Sequence, residues 1–130
     1  MIRELGGLAA GLGVAVATMV AVEAVGNRLF PPPAGYDLSQ GSALSLPFET
    51  LVWPAIGWFL GALAGSWVAM RASGERWPAW VVAGCVLAAT IFNLVLIRHP
   101  MWMIAAGVLA PLVGGWLGQQ IESRTRRRSA

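Results

Sequence analysis

Eighteen uncharged residues, 5–22, separate Glu4 from Glu23, and this makes Glu23 the residue whose type and position most invite chemistry. A carboxyl that deep in an apolar segment costs free energy unless it is protonated, paired or hydrated, so it is suited to bind a proton, an ion or a polar headgroup. Asn93 lies at a similar distance before Pro100 as Glu23 does before Pro31. Asn27 is one helical turn beyond Glu23 on the same face, and Thr90 is one turn before Asn93. If the two segments are neighbours, Glu23, Asn27, Thr90 and Asn93 form one intramembrane polar cluster. The plainer role for the same residues is an interhelical hydrogen bond that fixes register, worth about 0.6 to 2 kcal/mol.

Arg28, Glu49, Arg98 and His99 form an outer rim above this cluster, where Glu49 is placed to pair with Arg98. Charges at such positions serve chiefly as snorkelling or interfacial groups. His99 is the only histidine and Cys85 the only cysteine, so no zinc or haem ligand set, no disulfide and no cofactor is expected. No activated nucleophile accompanies the acids. The reading is of a non-enzyme with no catalytic residues.

The elements that hold these residues follow from the spacing of charge. The 130 residues are 57% hydrophobic and 12% charged, against roughly a quarter charged in soluble domains. Uncharged runs separate Glu4, Glu23 and Arg28, then Glu49 and Arg71, Arg76 and Arg98, and His99 and Glu122. Each reaches the roughly 20 residues that a helix needs to cross a bilayer. The expected fold is all-α: one membrane domain, 1–130, built as a bundle of four transmembrane helices at about 5–29, 48–70, 77–98 and 101–121. An outer loop, 31–47, and a basic tail, 122–130, complete it. Pro31–Pro33, Pro47, Pro78 and Pro100 punctuate the runs. Pro111 should kink the fourth helix unless a neighbour satisfies the carbonyl it frees.

Arg3, Arg71, Arg76, Arg124, Arg126, Arg127 and Arg128 fall on the side that holds both termini, and only Arg28 and Arg98 on the other. The positive-inside rule then sets both termini in the cytoplasm. The arginine tail reads as a topology anchor attracted to anionic lipid, and the basic balance does not imply nucleic-acid binding. Residues 1–24 carry some features of a signal peptide, but the length of the apolar run and Glu4 favour a retained helix.

Gly57, Gly61 and Gly65, at successive i+4 positions, form a smooth groove on the second helix. Ala110, Gly114 and Gly118 repeat the pattern on the fourth, and Gly13, Ala17 and Ala21 on the first. Such stripes serve close packing within one bundle or contact with a protein partner or a second copy. The fourth helix also matches the second at a displacement of 49 residues, from Trp53 to Trp102 and from Gly65 to Gly114, as a tandem repeat of two helical hairpins would.

The chain resembles a group of small, uncharacterised bacterial four-helix membrane proteins. The likeness rests on Glu23 followed by Phe30-Pro31-Pro32-Pro33-Ala34-Gly35-Tyr36-Asp37, on the stretch Gly61 to Ala69, and on Asn93 followed by His99-Pro100-Met101-Trp102. The group often has Pro where this chain has Arg98. The resemblance implies a multi-pass protein of the bacterial inner membrane and no particular activity. A further similarity is to the small multidrug resistance transporters, in size, in four helices and in a glutamate of the first helix beside Ala24-Val25-Gly26. Glu23 comes deeper into its span than a central proton site would, and the arginine bias opposes the dual topology of part of that family. Two readings follow: a structural or accessory membrane subunit packed through small residues, or a small transporter or ion- or lipid-binding bundle that uses Glu23.

Overall fold

Pro31–Pro33 stop the first helix, Pro47 and Pro100 stand immediately before the second and fourth, and Pro78 sits in the first turn of the third. A computed structural model describes residues 1–37, 39 and 41–130. It contains four helices: α1 (Ile2–Leu29), α2 (Phe48–Ser73), α3 (Trp77–Leu96) and α4 (Met101–Ser129). All four are long and apolar enough to span a membrane. Exposed side chains such as Phe92, Val95 and Leu109 have no place in water, so the outer surface of the bundle faces lipid.

α2 is the central element. In its apolar window 39% of residues are buried inside the bundle, against 17% for α1, because the two most extensive helix pairings, with α1 and with α4, are both made by α2. The two hairpins are packed unequally: α2 lies against α3, whereas α1 and α4 share no contact among the described residues. One apolar cluster, with Ala15, Ala62, Ala69, Val82 and Val86, fills the middle of the bundle and the half toward the termini. Another, Ala43, Leu51, Trp58 and Met103, lies under the loop between α1 and α2.

Small residues set the helix spacings. A Cβ on Gly65 would come within 2.7 Å of the Gly11 carbonyl oxygen and of the Ala15 Cβ, and one on Gly61 within 2.6 Å of the Met19 side chain. Gly57 also faces α1, at ordinary contact distance from Met19. Gly114 and Gly118 rest on the Phe59 and Leu63 carbonyls of α2, with Ala110 half-buried on the same face. On α1 the packing stripe is Gly7, Gly11 and Ala15. The expected stripe of Gly13, Ala17 and Ala21 is exposed, since presenting it would turn Leu8, Leu12 and Met19 away from the core they pack against.

Pro111 frees the carbonyl four residues before it, that of Gly107. The buried Thr90 hydroxyl of α3 lies 2.7 Å from that oxygen and 2.9 Å from the Leu87 carbonyl, so its one proton is shared between them. Thr90 therefore repairs α4 from the neighbouring helix. Thr90→Val keeps the shape but orphans the Gly107 oxygen, and a loss of about 1 to 2 kcal/mol in thermal or denaturant stability in detergent is expected. Unchanged stability would mean that the carbonyl has another partner.

α3 and α4 end differently from the charge-based boundaries. α3 stops at Leu96, because Ile97 turns extended and the Arg98 backbone pairs with the outer loop. α4 continues through the basic stretch to Ser129, where Thr125 and Ser129 donate back to carbonyls one turn earlier.

Candidate functional site

The proline run turns the chain after α1, and the described residues of the following loop, Tyr36 and 41–46 among them, lie across the end of the bundle where α3 gives way to α4. The amide of Ala43 donates to the Arg98 carbonyl (2.7 Å), and the Arg98 amide donates to the Gly41 carbonyl (2.8 Å). The Tyr36 hydroxyl donates to the Ser42 carbonyl. These bonds hold the loop as a roof.

Beneath the roof is a cavity of about 190 Å³. Glu23 and Asn27 of α1, Thr50 and Trp58 of α2, Asn93 of α3, and His99 line it, with Tyr36 and Ala43 from the loop. A second cavity of about 220 Å³ lies between α1 and α3, lined by Val16, Met19, Val20, Ala89 and Thr90, and is the more open of the two. Glu23, Trp58 and Asn93 belong to both. They form the join between a roofed polar chamber and a groove on the flank of the bundle.

The four residues of the polar cluster thus reach one region, but not as a hydrogen-bonded set. No hydrogen bond among the described residues engages the side chains of Glu23, Asn27 or Asn93, while Thr90 is taken up by the α4 carbonyl. Glu23 itself is exposed in the single chain. Its carboxyl and the two amides are free to meet a ligand. Each amide offers two N–H donors and one acceptor oxygen.

The outer rim divides. His99 lines the chamber, with its Nδ1 2.6 Å from the Ile97 carbonyl, so that nitrogen is the donor and Nε2 is left without a proton in the neutral ring. Arg28 and Glu49 are exposed and line neither cavity. The expected Glu49–Arg98 pair is not among the ion pairs of the described residues. Arg98 acts through its main chain, whose two bonds to the loop fix it, while its side chain is exposed.

At the opposite end a charged cluster escapes a reading of the sequence. Glu122 of α4 is 2% exposed. Its Oε1 accepts from Arg126 Nε at 3.0 Å, and Arg71 Nη1 stands 3.5 Å from its Oε2. Arg126 also donates to the Gly74 carbonyl (2.8 Å) and the Met70 carbonyl (2.6 Å), and Arg3 of α1 donates to the Ala72 carbonyl (3.1 Å). Gly74, at φ 87°, ends α2 in the left-handed conformation that glycine alone adopts without strain. Two arginines from different helices therefore cap the C-terminal carbonyls of α2, where the helix dipole favours positive charge. The only signal in the sequence is the i, i+4 spacing of Glu122 and Arg126, visible once the helix is known to continue that far.

No family model matches the chain, and no solved structure matches it. A curated relative does. The chain is 32% identical over 115 residues to the fluoride-specific ion channel FluC 2 of Rubrobacter xylanophilus, an alignment that takes in 88% of this chain and 69% of the relative. The relative is an ion channel and not an enzyme.

Proposed function

The chain belongs to the family of the fluoride-specific ion channels, and from that premise we propose that it conducts a small anion, fluoride, across the membrane through the chamber above Glu23 and Asn93. The relationship favours the second of the two readings open from the sequence, a transport bundle, over an accessory subunit. The observation that carries the proposal is the pair of unpartnered amides, Asn27 and Asn93, facing one roofed cavity that widens into a second.

Fluoride is small, strongly hydrated and accepts hydrogen bonds, so a site that strips its water must return donors in a fixed arrangement. The amides of Asn27 and Asn93 supply them, and Trp58 and Leu51 give the chamber apolar walls on which those dipoles act at low dielectric. The Asn93 position, shared by both cavities, is the narrow step an ion takes from one to the other. Below the groove the glycine contacts bring α2 close against α1 and α4. The work is binding and passage, with no covalent step.

The test is efflux from fluoride-loaded liposomes followed with a fluoride-selective electrode. Liposomes with the protein should release fluoride faster than protein-free ones and should not release chloride at a comparable rate. Equal release of both anions would remove fluoride as the substrate.

The orientation belongs to the same reading. With both termini in the cytoplasm of a bacterial inner membrane, the roofed chamber lies on the outer side and the Arg126 cap faces inward. Alkaline phosphatase fused after Ala130 should be inactive and the same enzyme inserted near Ser42 active. The reverse pattern would invert the molecule.

A further inference from the structure

We propose that His99 is an anion-binding residue of the chamber, whose protonated ring donates from Nε2 to the bound fluoride, so that occupancy rises as the pH at that face falls. This rests on the reading of the chamber as an anion path and adds to it a residue and a pH dependence. His99 lines the chamber, and its neighbours in the chain hold it there. The loop fixes the Arg98 main chain through its amide (2.8 Å) and its carbonyl (2.7 Å). Pro100 follows immediately and restricts the His99 backbone. Nδ1 donates to the Ile97 carbonyl at 2.6 Å. The remaining polar atom of the ring is Nε2, and no hydrogen bond among the described residues engages it.

With Nδ1 donating in both charge states, protonation changes only what Nε2 offers. In the neutral ring it is an acceptor, whose lone pair repels an anion. In the imidazolium it is a charged donor, the kind that makes short, strong bonds to anions. An imidazole makes that change within the physiological pH range. Asn27 and Asn93 present neutral donors at every pH, so His99 supplies the part of the site that titrates. The other ionisable side chains of the lining are Glu23 of α1 and Tyr36 of the loop, whose hydroxyl is bound to the Ser42 carbonyl. α2 and α4 bring none to the lining, and Arg28, Asp37, Glu49 and Arg98 carry exposed side chains outside it. Glu23 is thus the one rival of the anion for the imidazolium, and the experiment has to separate the two.

His99 is the only histidine, so the ring resonances of isotope-labelled histidine belong to it without further assignment. The full chain, free of any polyhistidine tag, is titrated by NMR in detergent micelles with saturating sodium fluoride or with sodium gluconate at equal ionic strength. The pH at which the ring is half-protonated should be about one unit higher in fluoride, the reciprocal of about 10-fold tighter fluoride binding to the protonated ring. Equal midpoints in the two salts would overturn the proposal. Glu23→Gln removes the rival and should keep the displacement. Its disappearance from that variant, folded as judged by its melting temperature, would assign the effect to the carboxyl and overturn the proposal as well. Efflux supplies the second readout, with the same pH on both sides and protein-free liposomes subtracted. Wild type should release fluoride several-fold faster at about pH 6 than at about pH 8, and folded His99→Gln, whose side chain does not titrate, should lose that dependence. The same pH dependence in both proteins would contradict the assignment. A displaced titration with no efflux at either pH would sink the channel reading alone, and efflux with no displacement would sink this one alone.

Discussion

Gly114→Leu should yield no stable, monodisperse protein in mild detergent, whereas Ala64→Leu should purify and melt like the wild type. Any side chain at Gly114 meets the Phe59 carbonyl and, at 3.3 Å, the Leu63 amide of α2. Those are main-chain atoms in the middle of a helix and cannot rotate away, so α4 must leave its place against α2. Gly61→Leu is a graded control, because its nearest obstacle is the flexible Met19 side chain and only then the Ala15 carbonyl oxygen at 3.0 Å. It should cost about 1 to 3 kcal/mol, the usual range for overpacking, while Ala64→Leu stays within about 0.5 kcal/mol. Melting temperature and elution volume separate the three. Equal behaviour of Gly114→Leu and Ala64→Leu would mean that α4 does not rest on the α2 backbone.

Arg126→Ala carries the second large effect. It removes the main partner of a carboxylate that is 2% exposed and uncaps the Met70 and Gly74 carbonyls together. Breaking a fully buried ion pair from one side costs about 3 to 5 kcal/mol. The Arg126 side chain is 39% exposed, and water can enter where it leaves, so a loss of about 2 kcal/mol is expected. Arg71 remains near Oε2 and limits the damage. Replacing both partners, Glu122→Leu with Arg126→Ala, removes the stranded charge and should cost less than the sum of the two single changes. Additive losses would mean that the two side chains do not interact. Arg128→Ala is the control, and it should leave stability unchanged.

The spans were legible because a bilayer imposes length and apolarity on every crossing segment, and charge spacing records both. The depth of Glu23 and Asn93 was legible for a related reason. Pro31 and Pro100 mark the ends of α1 and α3 on the same side of the bundle, so counting residues back from each gives a height. Rotation about a helix axis is not recorded so directly. On α1, small residues recur on two faces, and only the packing of Leu8, Leu12 and Met19 decides between Gly7-Gly11-Ala15 and Gly13-Ala17-Ala21. Thr90 shows the same limit. Pro111 announced an unsatisfied carbonyl, but the helix that would supply the hydroxyl depended on which neighbours meet. Arg98 and Arg126 were hidden because an arginine near a membrane surface has the same sequence signature whether it snorkels, pairs a carboxylate or leaves its main chain to bind a loop.

The measurement that bears most directly on the proposed conduction is fluoride efflux from liposomes holding equal amounts of wild type, Asn93→Leu and Val95→Leu. Asn93→Leu removes a donor and adds an apolar side chain at the step shared by the two cavities, whereas Val95 is 78% exposed and points to lipid. Wild type and Val95→Leu should release fluoride at the same rate, well above protein-free liposomes. Asn93→Leu should be slowed about 10-fold or more, the kinetic equivalent of losing roughly 1.4 kcal/mol at the narrow step. Release from Asn93→Leu as fast as from wild type, with the protein folded and inserted, would contradict a path through this chamber.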